Sequence, residues 1–581
     1  MWNLIKILPI ISALWLLRGI AAAGDVAAAA AAAQSPQDGY RISILINDTQ
    51  MRVGEINFYR EYELSSNSSA AATIVIKGSE AVWSKHFGII QVHSYLRPVT
   101  LSANNTLGDA SEKFYVNGTN IGFNVHRNST FYLHSLHPQN GTFNTSVAVA
   151  FILYRSTGAI PGGCNMVHPV DETPFLSVML EEEIVLVETP PAGSGVPHLD
   201  NTTCTTENFL YEFRYLYLTK QDFSKRSYFD MLRTLMVPRT AMESGYLVTK
   251  VPEYNLHQYY AKNTGMGIFF VTLVMDGYGE NVTTAYIPGH SYGCPQQQLF
   301  RDCHVIDSTP LAILLVLMMV MGACQIILGR QLVYLRIIVN SFMIGGYLAY
   351  VIFCTIEDWD LKMVIVMLGG LIFAIAWTVL WLQCHSVTEV ADILGSVING
   401  YGLSCLVLYA FGDMRILESH TYYWMVFCLV LPSAAVLSFP LSRRGAIVST
   451  ALQGSFFMSI TLLFMFDGNI HYAVINNWRR LKDTSFTYAI INPHLDIVDC
   501  FCIVVWLMAF ISSIFIQTRL MDGGCPCWRR QRVRVLRYRD QEAQPLIARL
   551  TARELGSDDV FLSPRSNSRF MQYWNRQSLF V

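Results

Sequence analysis

Residues 310–328 read PLAILLVLMMVMGACQIIL, an apolar run with no charged side chain. As a helix rising 1.5 Å per residue it extends about 28 Å, close to the hydrocarbon thickness of a bilayer. Six more segments of this kind follow, at about 337–356, 363–382, 393–412, 422–440, 446–466 and 497–516. The segment at 393–412 is the most interrupted, by Asn399, Gly400 and Gly402. A soluble helical core would keep a polar face on most of its helices, and these segments have almost none. Residues 310–516 are therefore expected to form an all-α bundle of seven transmembrane helices.

The first half of the chain differs in kind. Over the full 581 residues, 52% are hydrophobic and 14% charged, against about 25% charged in soluble domains. The apolar excess lies after Pro310. A net charge of −2 argues against nucleic acid as a partner. At the start, Lys6 precedes the apolar run Ile7 to Leu17, Arg18 interrupts it, and Ala21-Ala22-Ala23 stands before Gly24. That pattern predicts a signal peptide over 1–23; the apolar run would rise only about 16 Å as a helix, half the hydrocarbon thickness. Residues 24–39, with the alanine run Ala27–Ala33, are expected to be a disordered leader.

Residues 40–305 are predicted to be a glycosylated, β-rich domain on the lumenal or extracellular side. Asn-x-Ser/Thr acceptors occur at Asn47, Asn67, Asn104, Asn117, Asn128, Asn140, Asn144, Asn201 and Asn281, all before Pro310. Such clustering on one side of the first span points to a surface that meets the glycosylation machinery. The same region holds four cysteines, Cys164, Cys204, Cys294 and Cys303. An even count in an oxidising compartment predicts two disulfides, with three connectivities open. No pair has the close spacing usual for zinc ligands. Arg41–Ile46 and Leu210–Tyr217 alternate polar and apolar residues as half-buried strands do. Thr73–Ile76, Val147–Tyr154, Glu183–Val187 and Ile268–Val274 read as further strands, and Tyr228–Met236 as the one convincing helix. The expected architecture is a β-sandwich, or two sandwiches divided near 160–200.

Gly289-His290-Ser291-Tyr292-Gly293 matches the Gly-x-Ser-x-Gly pattern of a hydrolase nucleophile elbow. That elbow needs a strand before it and a helix directly after it. Pro288 precedes this stretch and Cys294-Pro295 follows, so a disulfide-anchored turn is the better account. No catalytic residue, cofactor or metal site is expected.

With the glycosylated half outside, seven spans leave the C-terminus in the cytosol. Cytosolic connections then carry Arg330, Arg336, Arg443, Arg444 and Arg519, with six arginines between Arg529 and Arg539. The opposite side carries Lys362, Arg415, Arg479, Arg480 and Lys482, the last three in a long exterior loop; the balance follows the positive-inside rule. No ionisable residue falls at the centre of a span, whereas proton-coupled transporters, pumps and intramembrane hydrolases need such groups. Gly369, Gly370 and Ala374, and Ser396, Gly400 and Ser404, suit close helix packing. Asn340, Asn399 and Gln453 are expected to tie helices together, with a polar pore as the competing use. The third span ends Trp381-Leu382-Gln383-Cys384-His385 without an Asp-Arg-Tyr-like signature, and Asn492-Pro493 lies ahead of the last span, unlike a rhodopsin-type receptor.

Residues 517–581 form a basic cytosolic tail. Cys525 and Cys527 beside Arg529 and Arg530 suit S-palmitoylation and anionic lipid, or stand as two free thiols. Glu542-Ala543-Gln544-Pro545-Leu546-Ile547 has the form of an acidic dileucine sorting signal, with Glu542, Leu546 and Ile547 as the contacts for a cytosolic sorting adaptor.

Taken together, Ile160-Pro161-Gly162-Gly163-Cys164-Asn165, the stretch Thr284-Ala285-Tyr286-Ile287-Pro288-Gly289-His290-Ser291-Tyr292-Gly293-Cys294, the seven spans and Pro545-Leu546-Ile547 resemble the transmembrane 7 superfamily member 3 family. The likeness covers most of the chain, and the bundle resembles the domain also seen in transmembrane protein 198. The resemblance implies a non-enzymatic plasma-membrane or endomembrane glycoprotein. It implies roles in cell survival and in attenuating endoplasmic-reticulum stress and the unfolded protein response, and in some animals in insulin secretion. It supplies no catalytic residues. The expected partners are membrane lipid, a lumenal or extracellular ligand, and sorting adaptors; the alternative is an atypical receptor or channel in which the bundle is the active part.

Overall fold

The computed structural model describes residues 41–46, 51–65, 72–103, 115–135, 144–164, 173–181, 183–193, 209–252, 256–276, 283–294 and 303. In the membrane half it describes 309–523 apart from 330–332, 354–355, 357, 384–387, 412–418, 440–442, 467, 483–485, 487–488 and 491–496.

The first sandwich comprises β1 (Arg41–Ile46), β2 (Ile56–Ser65), β3 (Ala72–Gly78), β4 (His86–Ser94), β5 (Val99–Ser102), β6 (Tyr115–Gly118), β7 (Asn120–Val125), β8 (Ser129–Ser135) and β9 (Asn144–Arg155). One sheet runs β1-β3-β8-β5-β6 and the other β2-β9-β4-β7. A short helix, α1 (Glu80–Trp83), lies between β3 and β4. In β1 the alternation is literal: Ile42, Ile44 and Ile46 are buried while Arg41, Ser43 and Leu45 are exposed. β9 breaks the alternation. Its run Val147–Tyr154 is buried at every position. Val147, Val149, Phe151 and Leu153 face the sandwich core, while Ala148, Ala150, Ile152 and Tyr154 face a second core on the outer side of the sheet. A strand covered on both faces loses its polar positions.

That second core joins the two sandwiches. The second comprises β10 (Ser177–Leu180), β11 (Ile184–Glu188), β12 (Phe209–Tyr217), β13 (Tyr246–Pro252), β14 (His257–Ala261), β15 (Ile268–Asp276), β16 (Thr283–Ala285) and β17 (Gly289–Ser291), with α2 (Lys225–Met236) and α3 (Pro238–Ser244) after β12. Its sheets run β10-β11-β14 and β13-β12-β15-β16, with β17 also on β15. Ser224 caps α2, its hydroxyl accepting from Ser227 N–H at 3.3 Å. The buried stripe Tyr228, Phe229, Leu232, Leu235 and Met236 enters the shared core with Phe269, Val271 and Leu273 of β15. Each of these large side chains contributes about 1.5–3 kcal/mol by leaving water, so the two sandwiches form a single packed body. The division falls between Arg155 and Ala159, just ahead of the 160–200 stretch expected to hold it.

Beyond the six strands read from sequence (β1, β3, β9, β11, β12 and β15), the structure adds β2, β4 to β8, β10, β13, β14, β16 and β17, adds α1 and α3, and starts α2 three residues earlier than Tyr228. The Ile-Pro-Gly-Gly stretch has a backbone reason: Gly162 has φ +66°, and a Cβ there would lie 1.9 Å from the Thr173 carbonyl oxygen. Gly162→Ala is expected to cost the second sandwich about 2–4 kcal/mol, because strain and a backbone clash add. Thermal unfolding of the purified chain measures it, and an unchanged midpoint refutes this account of the glycine.

The seven spans are helices: α4 (Thr309–Leu328), α5 (Val333–Ile352), α6 (Trp359–Gln383), α7 (Thr388–Ala410), α8 (His420–Ser438), α9 (Arg443–Met465) and α11 (Ile497–Gly523), with a non-spanning α10 (Tyr472–Lys482) between the last two. Exposed leucines such as Leu371, Leu429 and Leu437 cover the flanks, as lipid-facing surfaces require. Gly400 sits where a Cβ would be 2.7 Å from the Leu431 carbonyl oxygen, so α7 and α8 approach backbone to backbone.

Candidate functional site at the junction of sandwich and bundle

α10 lies across the outer end of the bundle and beneath the second sandwich. The carboxylate of Asp499, at the start of α11, accepts from Asn469 N–H (2.6 Å) and Ile470 N–H (3.1 Å), anchoring the turn that leads into α10. From below, Trp478 donates to the Tyr401 hydroxyl (2.8 Å), which donates to Asn477 (3.0 Å), and Asn477 donates to the Tyr423 hydroxyl (3.3 Å). The Arg480 guanidinium stacks 4.1 Å from the centre of the Tyr423 ring. Both faces of α10 are covered, so Tyr472, Ala473, Asn476, Asn477, Arg479 and Arg480 are all buried.

From above, Glu183, just before β11, meets Arg479 Nε at 2.9 Å and Lys482 Nζ at 3.7 Å. Arg479 also donates to the Lys262 carbonyl at 2.8 Å. The chain after α10 extends the sheet: Ala261 N–H donates to Ile490 O and Ile490 N–H to Tyr259 O, both 2.9 Å. Ile184 and Ala261 bury against Phe486 and Ala489. Sandwich and bundle thus share backbone pairing, a small apolar core and a nearly buried ion pair. Burial, with Lys220 and Arg479 nearby, holds the His471 imidazole well below its usual range, so it stays neutral.

The long connection expected to carry Arg479, Arg480 and Lys482 contains the helix α10. Arg479 and Arg480 are buried in it, and Arg479, Arg480 and Lys482 have their own partners in Glu183 and the Tyr423 ring. Spacing was the available signal: Tyr472, Asn476 and Arg479 fall on one helical face, and Ala473, Asn477 and Arg480 on the adjoining one. The strand pairing of Ile490 left no such signal.

A second polar constellation lies between the two sandwiches. His93 of β4 contacts Asn120 Oδ1 (2.8 Å) and Gln91 (3.2 Å), Asn120 Nδ2 lies 2.6 Å from His290 Nδ1, and Tyr228 donates to Ser94 O (3.1 Å) and Asn120 (3.2 Å). Burial pushes His93 down to about 4; burial and the neighbouring His93 push His290 to about 3. This places the Gly289–Gly293 stretch: β17 is a short strand antiparallel to β15, leading through a turn into the Cys294–Cys303 disulfide. Among the described residues no helix follows the serine as far as Cys294, and His290 serves the packing between domains.

Cys164 is also disulfide-bonded; Cys204 lies outside the described residues. Asn117, Asn128 and Asn144 are described and exposed on the first sandwich. Asn128 is half committed, its Oδ1 accepting from Gly78 N–H (2.8 Å) and Trp83 Nε1 (3.0 Å). Asn47, Asn67, Asn104, Asn140, Asn201 and Asn281 lie outside the described residues, as do Cys525, Cys527, Glu542, Leu546 and Ile547. Within the bundle, Gln453 donates to Asn340 (2.6 Å) and Asn399 to Ser449 (3.0 Å), so these amides bridge helices. Among the described residues no three His, Cys, Asp or Glu side chains gather as metal ligands.

Residues 52–154 match the model of a TM7SF3-like N-terminal immunoglobulin-like domain, residues 159–297 that of a TM7SF3-like second immunoglobulin-like domain, and residues 315–518 that of a TM7S3/TM198-like domain. The chain belongs to the transmembrane 7 superfamily member 3 family. It is 20% identical to Transmembrane 7 superfamily member 3 of Homo sapiens over 75% of this chain and 78% of that protein. The same holds for the Mus musculus protein, at 20% over 90% and 92%. The chain is a multi-pass integral membrane protein: two immunoglobulin-like sandwiches ahead of seven spans.

Proposed function

We propose that the chain is a non-enzymatic membrane glycoprotein whose paired sandwiches bind a protein partner on the lumenal or extracellular side. The bundle holds them in a fixed pose above the membrane, with the basic tail in the cytosol. The observation that carries this reading is the junction. A tether would suffice for anchoring, whereas shared strand pairing and the Glu183–Arg479 pair make sandwich and bundle one unit, so a partner's contact with one is felt by the other. The family resemblance adds the cellular role: attenuation of endoplasmic-reticulum stress, support of survival and promotion of insulin secretion.

The test is made in cells lacking the chain and challenged with a calcium-depleting stressor. An unfolded-protein-response reporter is expected to rise above that of parental cells and to return with the wild-type chain. Glycosidase treatment is expected to lower the apparent mass of the rescuing protein. An unaltered reporter counts against the stress role, and an unaltered mass against the exported orientation. Ion flux in vesicles reconstituted with the purified chain would favour a channel in its place.

A further inference from the structure

A cavity of about 680 Å³ opens in the outer half of the bundle, beneath α10 and the second sandwich. Its body is apolar, walled by Leu315 of α4, Val366 of α6, and Phe457 and Ile460 of α9. Its outer end is basic: among the described residues Lys262, Lys362, Arg479 and Lys482 line it, with the carboxylate of Glu183. Lys362 is only 1% exposed, near the start of a membrane helix. Leu348 and Val397, both on membrane-spanning helices, line the cavity and are 44% and 38% exposed, and the cavity is open rather than enclosed.

Apolar body, cationic end and an opening among membrane-spanning helices together describe one kind of occupant. We propose that this cavity binds a single-chain amphiphile with an anionic head, a fatty acid or lysophosphatidate taken from the surrounding membrane. The chain lies between α4, α6 and α9, and the head sits among Lys262, Lys362 and Lys482. The volume falls within the roughly 300–1,000 Å³ of small-molecule sites. A neutral amphiphile of the same length fills the apolar body and gains nothing from the basic end. The site is independent of any partner of the sandwiches.

The probe is a diazirine-bearing oleate, photo-crosslinked to the purified full chain in phosphatidylcholine nanodiscs, with labelled peptides mapped by mass spectrometry. Label is expected within 311–318, 363–366 and 456–464. Oleate and oleoyl-lysophosphatidate are expected to compete at concentrations about tenfold below monoolein, the factor of one charge-assisted contact. Better competition by one of the two anions identifies the head as carboxylate or phosphate. Lys362→Gln is expected to erase the preference over monoolein, and Val366→Trp to abolish labelling, each with a wild-type unfolding midpoint. The wild-type competition needs no variant to fold. Equal competition by monoolein, or label confined to flank residues such as Leu437, overturns the proposal.

Discussion

Glu183→Lys is expected to loosen the second sandwich from the bundle and expose α10 to trypsin at Arg479, Arg480 and Lys482. In the native chain Glu183 and Arg479 meet at 2.9 Å with side chains only 16% and 9% exposed. Removing one partner of so enclosed a pair leaves the other buried and uncompensated, typically a cost of about 3–5 kcal/mol. The charge reversal adds repulsion from Lys482, 3.7 Å from the same carboxylate. The two backbone hydrogen bonds at Ile490 remain, so the sandwiches stay folded and their disulfides intact while the junction opens. The control is Glu63→Lys, which breaks the Lys225–Glu63 pair, 38% and 40% exposed; an exposed pair of that sort is worth about 0–1 kcal/mol. Time-resolved trypsinolysis of the purified chain reads both. Arg479→Glu combined with Glu183→Arg is expected to restore part of the protection. Wild-type cleavage rates in Glu183→Lys would show that the ion pair does not hold the junction.

The second large effect is a loss of stability in acid, set by the histidines between the sandwiches. His93 has no exposed surface and is pushed down to about 4; His290, part-buried beside it, to about 3. The unfolded value is near 6.5. A histidine whose folded value is depressed is neutral in the folded state, so its contribution is complete above pH 6.5. It is lost as pH falls from there toward 4, where the unfolded chain binds the proton and the folded chain does not. At pH 5 that is about 2 kcal/mol for His93, from 1.36 kcal/mol per pH unit, with a smaller share from His290. The expected result is a steep fall in the unfolding midpoint of the sandwiches between pH 6.5 and 4.5. His93→Gln is expected to flatten that slope, whatever its effect at pH 7.5. An unchanged slope would show that other groups govern the acid response. Protonation there also strains the contact with Tyr228 and Asn120, so acid is expected to part the two sandwiches before it unfolds either.

Much of this was legible before any coordinates. The membrane helices needed only runs of apolar residues, because lipid imposes a rule that each span meets by itself. Ile42, Ile44 and Ile46 announced a half-buried strand for the same reason: one face, one environment. Val147–Tyr154 announced a strand but not what covers its second face, since an unbroken apolar run says that both sides are dry and not what dries them. α10 went unread because its stripe is built from tyrosine, asparagine and arginine. Those residues look solvated in one dimension and become core only when Glu183, Tyr401 and Tyr423 arrive from distant points in the chain. Glu183, at a strand's edge, carried no signal of its own.

The sequence alone therefore determined the partition: a β-rich half followed by seven spans. Each follows from a local preference of residues for water, lipid or the pleated sheet. Tertiary structure alone decided how the halves meet, which histidines are kept neutral and where a cationic end caps an apolar cavity. Those depend on side chains hundreds of residues apart sharing a few ångströms, a condition that only the folded chain supplies.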